Sequence, residues 1–190
     1  MVDAWKNTHA VRSAVTKSNA TANVLQSGAT SQLYNRGDWQ HWIDVDGDCQ
    51  DTRAELLIKS SLTDVEYRNQ KNCSVVKGKW FDVYTGKTWV NASDVDIDHV
   101  LPLSWANGHG GSTWTKAKKR DFANDFENLL PVEDNVNQEK SDKGLDEWLP
   151  PRHEYRCEYI NKFDSLVKKY GLLYAPSENR VVQKLKAACN

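Results

Sequence analysis

Four cysteines set the tightest limit on what this chain can become. Cys49, Cys73, Cys157 and Cys189 are widely spaced, and no two of them form a CxxC pair. That spacing disfavours a zinc ribbon or a thioredoxin-type motif, both of which need close cysteine pairs. An even number of distant cysteines suits disulfide staples made in an oxidising compartment, with four buried free thiols as the alternative. Four cysteines admit three connectivities. Cys49–Cys73 with Cys157–Cys189 is favoured because each bridge closes a local unit. The expected location is therefore secreted or periplasmic. The opening stretch MVDAWKNTHAVRSAV lacks a charged-then-apolar leader pattern, so an exported protein is expected here in mature form with an added start residue.

A length of 190 residues suits one well-buried domain. Hydrophobic residues make up 39% and charged residues 27%, the balance of a globular chain rather than a disordered one. Eight Trp and seven Tyr supply large side chains for a core or flat platforms for a ligand. No apolar run approaches the ~20 residues that cross a bilayer, so no membrane partner is expected. Basic and acidic residues number 25 and 26, a net charge of −1, so no global positive field announces nucleic acid. The densest basic cluster, Lys116, Lys118, Lys119 and Arg120, reads as a solvated helix face. A monomer is expected.

Local patterns place alternating helices and strands, an α+β class. Residues 1–30 are rich in Ala, Ser, Thr and Asn and read as a short helix with a lead-in; residues 31–190 read as the domain. A helix is expected from Asp51, capped by Asp51 or Thr52. Residues 73–90 read as strands with turns at Lys77-Gly78 and Thr85-Gly86. VDIDHV, residues 95–100, alternates apolar and acidic side chains and reads as a strand ending at His99. Pro102 and the glycine-rich GHGGS stretch should then break regular structure. Helices are expected over 115–126 and 134–140, with a short strand over 128–132 between them. Tyr155, Tyr159, Phe163, Val167 and Tyr170 recur at helical spacing, and Gly171 is a natural stop. That stripe reads as core. Ser177 is the expected cap of a last helix to Cys189.

The stretch from Asp96 to Lys143 carries the chemistry. Phosphodiester hydrolysis needs a base for water and positive charge on the scissile phosphate and leaving oxygen. Asp98 followed at once by His99 offers a carboxylate and an imidazole at a strand end. Neighbours on a strand point to opposite faces, so the pair can cooperate only if the strand ends or bends there. Alone, an Asp-His dipeptide is usually a surface pair. The downstream order adds weight: Asn128, then Asn137 nine residues later, then Lys140 and Lys143. On a helix over 134–140, Asn137 and Lys140 share a face. Strand, strand and helix would make a compact ββα unit.

DVDIDHVLPL followed by ENLLPVEDNVNQEKSDKG resembles the HNH, or ββα-metal, endonuclease motif. The likeness is to the secreted single-domain branch related to the C-terminal part of GmrSD-type restriction enzymes. DWQHWIDVDGDCQDTRAELL, GKWFDVYTGKTW and DEWLPP also resemble that branch, so the likeness spans roughly residues 33–189. It implies a ββα-metal core over about 95–143, with a small antiparallel hairpin and surrounding helices. It implies Asp98 as the metal-binding carboxylate and His99 as the general base. Asn128 would steady the loop and the His, and Asn137 would be the second metal ligand. Asn at the last position favours Mg²⁺ or Mn²⁺ over Zn²⁺, because an amide oxygen suits a hard cation. The implied activity is largely non-specific endonuclease cleavage of DNA, or RNA, leaving 5′-phosphate and 3′-hydroxyl ends. Lys140 is the candidate phosphate clamp.

Weaker signals surround this motif. Asp44, Asp46, Asp48 and Glu55 fall at positions 1, 3, 5 and 12 of a would-be Ca²⁺ loop, but Cys49 stands where such a loop needs glycine. An acidic turn leading into a helix is the plainer reading. Arg53 reads equally as a bidentate phosphate contact or as the partner of a nearby acid. Trp105 and Trp114 flank the glycine-rich loop and could stack on bases or simply pack. Two alternatives to an enzyme remain: a non-catalytic nucleic-acid-binding module, and a calcium-stabilised extracellular module.

Overall fold

The computed structural model describes residues 34–189, so the expected lead-in over 1–30 lies outside them. The elements run α1 (Thr52–Ser60), β1 (Glu66–Tyr67), β2 (Val75–Phe81), β3 (Thr88–Asn91), β4 (Val95–His99), α2 (Leu103–Gly108), α3 (Lys116–Ala123), β5 (Leu129–Glu133), α4 (Asp134–Lys140), α5 (Arg156–Tyr170) and α6 (Pro176–Ala187). The fold is α+β with two small antiparallel sheets, one in the order β1-β2-β3 and one pairing β4 with β5.

Local chemistry explains most boundaries. The Asp51 carboxylate caps α1 by accepting from the Ala54 amide at 2.9 Å. Thr115 caps α3 in the same way through Lys118, and Glu133 caps α4 through Val136. Gly171 ends α5 with φ of 67°, a conformation that costs glycine little. Three expectations change. Lys77-Gly78 is no turn: β2 runs through it with a register shift, and a Cβ on Gly78 would meet the Trp80 ring at 2.7 Å. The glycine is there for close approach. A short helix, α2, follows Pro102 directly where irregular chain was expected. Ala175, not Ser177, is the cap of α6, with Pro176 in the first turn and the Ala175 amide donating to Glu178.

Two apolar clusters flank β4 and β5. Leu56 and Leu57 of α1 join Trp80, Val95, Ile97 and Leu129 on one side. On the other, Val100, Leu101 and Val132 join Trp105, Tyr159 and Phe163. The aromatic stripe of α5 is core, as its spacing predicts: Tyr155, Tyr159, Phe163 and Val167 are all buried. Trp105 is also core, buried and stacked on His109 at 3.6 Å between centroids, which removes it as a base platform. Trp114 packs against the same cluster, with the Lys118 ammonium 4.4 Å from its ring centroid. Disulfides join Cys49 to Cys73 and Cys157 to Cys189, the pairing favoured from sequence. The first ties the approach to α1 to the approach to β2; the second ties the start of α5 to the end of α6. Among the described residues, no helix is long and apolar enough to cross a membrane.

Candidate active site

β4 pairs with β5 from Val95↔Glu133 to His99↔Leu129, and α4 begins on the next residue after β5. Two antiparallel strands followed at once by a helix therefore bring Asp98, His99 and Asn137 to one place. The register works through alternation. Val95 and Ile97 pack toward α1, whereas Asp96 and Asp98 meet groups from α4. Because β4 ends at His99, Asp98 and His99 line one cavity despite being neighbours. That cavity, about 420 Å³, is also lined by Tyr34, Arg36, Ser104 and Asn137.

The imidazole of His99 is buried, and its Nε2 lies 2.8 Å from the Ala123 carbonyl. A carbonyl can only accept, so Nε2 carries the proton and Nδ1 is the unprotonated nitrogen. Ala123 is the last residue of α3, where carbonyls lack helical partners. Burial pulls the imidazole down to about 4 from its ordinary 6.5; Ala123 and Asp98 oppose that, while the Lys140 and Arg36 charges reinforce it. His99 is thus a neutral base over most of the pH range.

Asp98 is held from two sides. Oδ1 accepts from Lys140 Nζ at 2.9 Å, and Oδ2 accepts from the Tyr84 hydroxyl at 2.6 Å. Burial pushes the Tyr84 hydroxyl well above its usual range, so it stays a donor. A carboxylate offers about four lone-pair directions, so each oxygen keeps one for a cation. Asn137 donates from Nδ2 to Asp96 Oδ2 at 3.1 Å, which leaves its amide oxygen for the same purpose. Asp98 and Asn137 could together offer a hard cation such as Mg²⁺ or Mn²⁺ an all-oxygen set.

Lys140 departs from its expected role. The side chain is fully buried and also donates to the His99 carbonyl at 2.9 Å. It is an internal brace, not a phosphate clamp. A cation at that depth is tolerated because Asp98 and a carbonyl satisfy it. Asn128, likewise fully buried, clamps the chain beyond the His: its amide accepts from Leu101 N and donates to Leu101 O at 2.8 and 3.1 Å. It positions the site rather than touching a substrate. Arg53 does not line the cavity; one guanidinium nitrogen donates to Ala92 O and Val95 O at 3.0 and 2.7 Å, bracing the start of β4. Asp44, Asp46 and Asp48 bring carboxylate oxygens within 4.8 Å of one another, whereas Glu55 stays outside the group. The three also accept backbone N–H bonds from Gly47, Asp48, Cys49 and Gln50, which accounts for the acidic turn by itself.

Three functional neighbours escape sequence reasoning. Arg36, in a short 3-10 turn, offers an exposed guanidinium to the cavity. Tyr84 supports Asp98, and Trp42 stacks on His99 with centroids 5.8 Å apart and planes at 24°. Nothing in local spacing links these positions to the motif. Asp96 was legible in principle, since i and i+2 on a strand share a face.

Residues 50–173 match the family model for the C-terminal domain of GmrSD restriction endonucleases. A protein of Arthroderma benhamiae described as an uncharacterized secreted protein is 38% identical over 180 residues, covering 90% of this chain and 86% of the relative. No solved structure matches the chain.

Proposed function

Since the chain belongs to the family of GmrSD restriction endonuclease C-terminal domains, we propose that it is a secreted, metal-dependent endonuclease of HNH type, with β4, β5 and α4 as its ββα-metal core. The observation that carries this reading is that His99, bonded through Nε2 to the Ala123 carbonyl, lines one cavity with Asp98 and Asn137. The disulfides and the secreted relative support export. DNA is the favoured substrate and RNA the second, cut without sequence preference, since the near-neutral chain has no base-reading module.

Each group then has a task. Nδ1 of His99 takes a proton from water as it attacks phosphorus, and the Ala123 carbonyl stabilises the imidazolium that results. Mg²⁺ or Mn²⁺ held by oxygens of Asp98 and Asn137 would supply positive charge at the scissile phosphate and the departing 3′-oxygen. Arg36 binds a neighbouring phosphate oxygen from the cavity rim. Asn128 keeps the 99–101 turn in place, and Tyr84 and Lys140 orient Asp98.

Plasmid DNA and RNA incubated with the protein, with and without EDTA, test the proposal: cleavage should need the divalent ion and leave 5′-phosphate ends. Asn137→Ala should raise the Mg²⁺ concentration for half-maximal activity by about tenfold, the lower end for lost metal-site partners. An unchanged Mg²⁺ titration would remove Asn137 from the metal site.

The pH dependence has a fixed sign. The folded-state value of His99 lies below its ordinary 6.5, so the neutral base persists as pH falls toward about 4. The acidic limb of kcat/KM is expected below pH 5, and a limb centred near 6.5 would contradict His99 as a buried base. Stability follows the same window: the contribution of neutral His99 is present above 6.5 and lost as pH falls through about 4.

A further inference from the structure

Trp42 has a backbone φ of 56°, in the left-handed region that a bulky side chain adopts only when its surroundings impose it. The surroundings are identifiable. The Asn124 amide reaches over the segment from both sides, donating from Nδ2 to Gln40 O at 2.8 Å and accepting at Oδ1 from Ile43 N at 3.4 Å. Thr52 adds a second hold: its amide donates to Ile43 O at 2.9 Å, and the single proton of its hydroxyl is shared between Asn124 Oδ1 at 2.8 Å and Ile43 O at 3.0 Å. Residues 40 and 43 are thus pinned, with Trp42 between them. Its ring lies against the face of His99.

Asn124 caps the helix whose last residue is Ala123. Two consecutive residues at the end of α3 therefore act on the same imidazole. Ala123 holds its edge through Nε2, and Asn124 holds the loop that brings Trp42 onto its face. The two contacts are not redundant. A single hydrogen bond at Nε2 still tolerates small rocking about Cβ–Cγ, which moves Nδ1 and Nε2 together. A ring stacked beside the imidazole, 5.8 Å away between centroids, limits that rocking.

We propose that Trp42 is a positioning residue for His99, fixed by Asn124 so that Nδ1 faces the cavity. Its effect on turnover rests on the nuclease reading; its effect on the imidazole does not.

The test uses the full chain with three substitutions. Trp42→Gly removes the ring and fits the left-handed backbone, so strain is not added. Trp42→Phe keeps a ring. Trp42→Asn, also tolerated at positive φ, replaces the glycine variant if that one fails to fold. In Mg²⁺ with an oligonucleotide substrate, Trp42→Gly should lower kcat by at least about tenfold while KM stays within about twofold, the pattern of a misplaced base. Trp42→Phe should recover most of the loss. Nitrogen-15 spectra of His99 in the metal-free protein give a readout independent of cleavage. The wild type should show the single Nε2–H tautomer, and the folded glycine variant should show a mixture or exchange broadening. Unchanged His99 nitrogen shifts in that variant overturn the proposal, as does a kcat within twofold of wild type. If the wild type cuts nothing, the nuclease reading fails, and the spectra still decide what Trp42 does.

Discussion

Replacing His99 with alanine is expected to lower cleavage by about three orders of magnitude, the middle of the range for a general base. The imidazole is the neutral nitrogen base of the cavity, and the neighbouring carboxylate is already engaged by Lys140 and Tyr84. In the proposed site the lone pairs that Asp98 keeps are given to the metal, so it does not take over the proton. Alanine also leaves the Ala123 carbonyl without its partner, at a cost of roughly 1–3 kcal/mol if no water replaces it. A control separates the two effects. His99→Gln keeps an amide donor for that carbonyl but provides no base. Both variants should lose activity alike, while the glutamine variant should lie closer to wild type in thermal melting. Near-normal cleavage by either one would sink the role of His99.

The elements that make the site were legible because their signals are local. VDIDHV alternates at the period of a strand, and the nine residues from Asn128 to Asn137 leave room for one short strand and one turn of helix. The family match and the α+β architecture agree with that reading. Sequence reasoning failed where long-range contact decides. Its place in the motif makes Lys140 a candidate phosphate clamp, yet the side chain is fully buried, which a lysine almost never is unless paired. Its partner, Asp98, is 42 residues earlier, and no periodicity reports that pairing. Arg53 kept two readings for the same reason, and only the carbonyls of Ala92 and Val95 decide where its guanidinium goes. Trp42 and Arg36 lie far upstream of His99, and the stretch that carries Trp42 is held by Asn124 and Thr52 rather than by its own pattern. Gly78 misled differently: a glycine after lysine signals a turn, yet here it clears space for the Trp80 ring.

Lys140→Met is expected to be the most destabilising single substitution at the site, costing about 3–5 kcal/mol, as removal of one partner from a buried ion pair does. Both side chains are at most 5% exposed, so water is a poor substitute for the lost ammonium. Methionine fills the volume of the aliphatic stem but leaves Asp98 with only the Tyr84 hydroxyl, and it leaves the His99 carbonyl with one donor fewer. Chemical unfolding of Lys140→Met beside wild type measures the deficit. A loss smaller than about 1 kcal/mol, the typical effect of an ordinary substitution, would mean that the ammonium is not what compensates the buried Asp98 carboxylate. The paired variant Lys140→Met with Asp98→Asn removes both charges and should recover much of the lost stability without recovering cleavage. That combination separates the architectural need for neutrality at this depth from the chemical need for a carboxylate beside His99.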